Sequence, residues 1–245
     1  MPESAQAAAS RLADALQERS ARLAAGPVDE MYRDLFWHER FQARGRTHAE
    51  QDGLHHVTYL SEAIRLGSPG TLVSYARWLR TLLVAHGMCT LDLVANFERL
   101  AGALLAEGLP DAEVGRSYLE AAQRALAYEH GDAAGLWQAQ AQLEAAASAR
   151  VREAGGHDWL SVAASLHADP RHLLSYLTDA VAVARPELLA AHATWAKAAL
   201  ARHGVPAEAW AALTAAVTGA CAAENADWSS AAVGCAARAF AAEGP

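Results

Sequence analysis

His55, Tyr59 and Glu62 stand at i, i+4 and i+7, and His172, Tyr176 and Asp179 repeat the arrangement further along the chain. On an α-helix each triplet sets an imidazole, a phenol and a carboxylate on one stripe. Imidazole and carboxylate can ligate a metal or move protons, and a neighbouring phenol can orient either by a hydrogen bond. At about 100° per residue, Val57, Leu60 and Ile64 (Leu174, Leu177 and Val181) fall on the opposite side. Thr58 and Ser61 (Ser175 and Thr178) fall in a third wedge that suits solvent. The stripe is therefore expected to be at least half buried, lining a cleft or interface as a ligand-binding set. The same residues also read as a polar network that fixes helix register. A metal centre takes three or four ligands from more than one element, and no HExxH, ExxH or CxxCH motif supplies them.

Other residue types have local readings. Asp52 and Asp169, each three residues before a histidine, suit helix N-caps. His86 and His203 precede glycines and suit helix ends, while Trp78 and Trp195 read as core or core-edge aromatics. Segment 31–56 is rich in polar and aromatic residues that the second half lacks. Tyr32, Phe36, Trp37 and Phe41 form one broad aromatic face if helical, either a candidate binding surface that includes Trp37 or a face that packs on the first bundle. His38, Glu39, His48 and Glu50 are the candidate metal cluster of that segment, so a single ligand site is expected in the first half.

The elements that must carry these residues are helices. Ala, Leu, Arg, Glu and Gln dominate, β-branched runs are absent, and breakers such as Gly26-Pro27, Gly67-Ser68-Pro69, Gly87, Gly131, Gly155-Gly156, Pro186 and Gly204 recur every one to two dozen residues. An all-α chain of about ten to twelve helices follows. Residues 52–95 align without a gap to 169–212 at an offset of 117, with 13 of 44 positions identical. Only three of the 13 are Ala, whereas His, Tyr, Trp, Pro and Asp recur in register. Residues 124–131 match 238–245 after a short deletion. The expectation is a tandem duplication of a helical-bundle unit of about 115–120 residues, domains 1–130 and 131–245, related by a pseudo-twofold axis. The unit is far longer than the repeats of a solenoid.

Composition narrows the partners. A formal charge of −8, with a single lysine, argues against a phosphate-neutralising surface and hence against nucleic acid. Three cysteines without CxxC spacing suggest reduced thiols in a cytoplasmic setting. The N-terminal residues carry Glu3, Asp14 and Glu18, unlike a secretory signal, and no apolar tract reaches the ~20 residues of a membrane span.

The stretch "HHVTYLSEAI…P..LVSYARWLRTLLVAHG" resembles helical, sometimes globin-like, sensor or regulatory domains of bacterial signalling proteins. That resemblance implies a non-enzymatic sensing or interaction role. The resulting expectation is a non-catalytic cytoplasmic module whose repeats each offer a groove to a small apolar ligand or a partner helix, compatible with a homodimer. The alternative is a haem- or metal-dependent carrier or enzyme using the His/Tyr/carboxylate stripe.

Overall fold

The computed structural model describes residues 5–155 and 158–241. Among them are no strands; the chain is built from α1 (Ala5–Glu18), α2 (Ser20–Met31), a π-helical turn (Trp37–Phe41), α3 (Gln42–Arg65), α4 (Pro69–Ala85), α5 (Thr90–Ala106), α6 (Ala112–Arg124), α7 (Gly131–Glu153), α8 (Leu160–Ser165), α9 (Pro170–Ala182), α10 (Pro186–Arg202), α11 (Ala207–Ala223) and α12 (Ser229–Ala241). No helix among these residues is long and apolar enough to cross a membrane. Gly156, and residues 242–245 of the second short sequence match, lie outside the described residues.

Local chemistry explains most boundaries. Asp169 caps α9 by accepting the His172 N–H at 3.1 Å, with Pro170 in the first helical position. Gly87 and Gly204 take φ of 83° and 72°, the left-handed conformation that releases the chain from α4 and α10. Two boundaries depart from expectation. Pro27 lies inside α2 and does not end it, because its ring and Val28 are buried and their packing outweighs the lost backbone bond. Asp52 sits within α3 and is no N-cap, since that helix runs on unbroken from Gln42.

The helices from α4 onward keep the register seen in the sequence. α4 and α10, α5 and α11, and α6 and α12 each begin and end 117 residues apart. Arg80 on α4 donates to the Leu126 carbonyl at the end of α6, at 2.6 Å.

The chain divides into two compact units. One runs to Leu82 and resumes over Asp92–Leu126; the other takes Leu83–Leu91 and the chain from Ala127 onward. In the first, α1, α2 and α6 pack on α3. A Cβ on Gly53 of α3 would stand 2.9 Å from the Ala24 Cβ, so this close approach of α2 requires glycine. In the second, α7, α10 and α12 pack on α9, with α11 against α7 and α12. Apolar side chains spaced three and four apart on α9, such as Leu173, Leu177 and Ala180, are wholly buried there.

Candidate metal centre

Buried polar residues gather around α9. Helix α8 ends with the His167 N–H bonded to Ala164 O at 3.0 Å and the Ala168 N–H bonded to Ala163 O at 2.8 Å. These crossed bonds terminate a helix and put His167 at φ 51°, a place usually given to glycine. A non-glycine residue there stores about 1–3 kcal/mol of strain, a cost met mostly at functional sites. The chain then reverses through Asp169 into α9, bringing the His167 and His172 rings face to face with centroids 3.9 Å apart and planes 15° apart.

A second segment is pinned to the same helix. Asp179, 1% exposed, accepts the Thr90 N–H at 2.7 Å, the Thr90 hydroxyl at 2.6 Å and the Tyr128 hydroxyl at 2.6 Å. The Leu91 N–H donates to Ser175 Oγ at 3.2 Å, and the Tyr176 hydroxyl donates to Gly87 O at 3.0 Å. A carboxylate at the first amide of α5 also suits the positive end of that helix. Asp92 follows on the same helical turn as Thr90 and Leu91, and is buried.

Ligand-capable atoms of Asp92, His167 and His172 all lie within 4.8 Å of one another, the only such group of three among the described residues. The side chain of His172 and the backbone of His167 are held in place. His172 Nδ1 meets Asp169 Oδ1 at 2.5 Å, which leaves Nε2 as its ligating nitrogen. Burial alone would push the Asp169 carboxyl up, but hydrogen bonds and charge from His172, with a smaller contribution from His167, hold it below the usual carboxylate range. The fully buried His192 donates from Nε2 to His167 O at 2.9 Å.

Of the stripe residues, then, His172 joins the group, while Tyr176 and Asp179 hold the segment that carries Asp92. The stripe in the first unit departs from expectation: His55 and Glu62 are exposed and Tyr59 is 40% exposed, because no described segment covers α3 as residues 87–91 cover α9. Glu62 pairs instead with Arg65 at 3.3 Å.

Beneath that difference the two stripes share a geometry. Tyr59 stacks on Tyr75 at 3.9 Å and 15°, and Tyr176 stacks on His192 at 3.7 Å and 13°. Tyr75 meets Trp78 at 6.0 Å and 34°, and His192 meets Trp195 at 6.0 Å and 33°. Ser61 and Thr178 each return a hydroxyl bond of 2.8 Å to the carbonyl four residues back. Trp78, expected in the core or at its edge, is 58% exposed on the outside of its stack.

In the first half the aromatic face packs inward. Tyr32, Phe36 and Trp37 are buried, Phe36 meets Trp37 edge-on, and Trp37 stacks on Phe41, so the aromatic face is an internal cluster. The wider π-helical turn sets Trp37 and Phe41 over one another. His38, His48 and Glu50 point to solvent and do not gather; Glu50 pairs with Arg46. His56 is buried in this unit, its Nδ1 hydrogen-bonded with the Tyr75 hydroxyl at 2.7 Å while its ring meets Phe97 at 5.3 Å. Burial, with a minor contribution from the charge of His55, lowers His56 to about 3, and burial likewise raises Tyr75. The pair is therefore neutral at pH 7.

No protein-family model, curated protein or solved structure matches this chain.

Proposed function

We propose that the protein binds a transition-metal ion through Asp92, His167 and His172, and works as a metal carrier or metal-dependent enzyme. The convergence of these three side chains from two separate segments carries the reading. Two imidazole nitrogens and one carboxylate oxygen suit Zn²⁺, Fe²⁺, Ni²⁺ or Cu²⁺ better than Mg²⁺ or Ca²⁺, which prefer oxygen throughout. Ligands about 2.1 Å from a tetrahedral ion stand roughly 3.4 Å apart, so an ion would draw the three groups together. Three protein ligands leave one position open to water or a substrate, the pattern of catalytic rather than structural sites. Haem fits less well, since it needs an apolar crevice beside an axial imidazole, and Asp92 and Asp169 flank these rings.

The groove reading has one support of its own. A cleft of about 470 Å³ in the second unit is lined by Trp159, Val162, Val205 and Ala209, with Asp158 and Glu208 at hand for polar recognition.

The architecture is read as a tandem duplication. Supporting it are the three helix pairs with identical spacing, the twin aromatic stacks and the matched Ser61 and Thr178 bonds. Asp92 of the first copy and His167 of the second occupy positions equivalent to Ala209 and Glu50, so the reciprocal grouping lacks two of its three ligands.

Equilibrium dialysis against Zn²⁺ followed by elemental analysis tests the metal reading. One ion per chain is expected, with His167→Ala and His172→Ala each weakening it at least ~100-fold and Asp169→Asn about 10–100-fold. His55→Ala is expected to change nothing. Absence of stoichiometric metal, or an equal loss in His55→Ala, refutes the centre.

A further inference from the structure

The seat that α9 provides for residues 87–91 has an uncovered counterpart on α3. His55, Thr58, Tyr59 and Glu62 are the α3 equivalents of His172, Ser175, Tyr176 and Asp179, and all four are exposed. Tyr59 is held by the same stack that sets Tyr176, so its hydroxyl is posed in the same way relative to its helix. The equivalent of the seated segment is residues 204–208, where Gly204, Pro206, Ala207 and Glu208 are exposed. Here α11 begins after Pro206 with no side-chain cap, leaving the positive end of a 17-residue helix at the surface.

We propose that α3 of one chain seats the 204–208 segment of a second copy. The hydrogen-bonding groups are complementary: the Glu62 carboxylate would meet the first amides of α11 as Asp179 meets those of α5, with Thr58 in the place of Ser175 and the Tyr59 hydroxyl directed at the Gly204 carbonyl, while Glu208, in the place of Leu91, sets a like charge in that turn. Glu62 is now held only by an exposed pair with Arg65, which exchanges readily for another partner. Ala207 replaces Thr90 and lacks its hydroxyl, so the contact between chains is weaker than its counterpart within the chain. Because seat and inserted segment are different surfaces, the association is head-to-tail and either closes into a ring or extends. The inference rests on the duplication and is independent of the metal.

Sedimentation velocity from about 10 µM to about 1 mM tests it, with two substitutions at exposed positions. Thr58→Arg blocks the seat and Ala207→Arg blocks the inserting segment. Wild type is expected to self-associate with rising concentration, and each variant to weaken association at least tenfold. An equimolar mixture of the two variants is expected to recover a one-to-one dimer that grows no further, since one open seat then meets one intact segment. A wild type that stays monomeric, variants that associate as wild type does, or a mixture that stays monomeric overturns the proposal. Any of these leaves the 117-residue register of the helices, and so the duplication, untouched.

Discussion

Asp179→Ala removes the acceptor for three donors at once: the Thr90 amide at 2.7 Å and the Thr90 and Tyr128 hydroxyls at 2.6 Å. Hydrogen bonds to a charged acceptor contribute about 1.5–3 kcal/mol each. Three give an upper range near 5–9 kcal/mol, from which the desolvation of a buried carboxylate, several kcal/mol, must be subtracted. The expected loss is about 3 kcal/mol, which lowers Tm by roughly 6–12 °C in a chain of this size. Urea titration reads the free energy, and a cycle with Thr90→Val isolates the shared part, expected to couple by about 1 kcal/mol. The exposed counterpart, Glu62→Ala, should stay within ~0.5 kcal/mol. If Asp179→Ala also stays within that range, or the coupling vanishes, the carboxylate does not hold residues 87–91 and Asp92 loses its support.

Burial lowers His56 to about 3 in the folded protein, against about 6.5 unfolded. Its stability contribution is therefore complete above pH 6.5 and is lost as pH falls toward 3, by about 1.4 kcal/mol per pH unit, because the unfolded chain takes up the proton first. Acid titration of stability should show that slope, and His56→Gln should flatten it. The thiols of Cys89, Cys221 and Cys235 are buried, and burial pushes Cys221 up to about 12. A chromogenic thiol reagent should label none of them in the folded protein and all three in urea; fast labelling of Cys221 without denaturant would contradict that. Tyr176→Phe should cost about 0.5–1.5 kcal/mol in urea titration through its lost bond to Gly87, and Tyr59→Phe close to nothing.

Much of the fold was legible because its signals are local. Pro69 and Pro186 start their helices, Gly87 and Gly204 release the chain in left-handed conformations, and the 117-residue offset carries through to the helix boundaries. Pro27 misleads because burial overrides its breaking tendency. The centre was only half legible. His172 lies on the repeated stripe, but Asp92 sits 75 positions upstream of His167 and reaches it only because α9 seats residues 87–91. A local cue did exist, in the close spacing of His167, Asp169 and His172, where a strained loop and a cap share one turn. The abundance of histidine in 31–56 pointed the other way, yet His38 and His48 face solvent, and residue type without a second element to converge on makes no site.

The most direct test of the metal centre is X-ray absorption on the protein loaded with one equivalent of Zn²⁺. A first shell of nitrogen and oxygen at about 2.0–2.2 Å is expected, with outer-shell scattering from two imidazoles that falls to one in His172→Ala. A shell containing sulfur, a shell without imidazole scattering, or one unchanged by that substitution would contradict it.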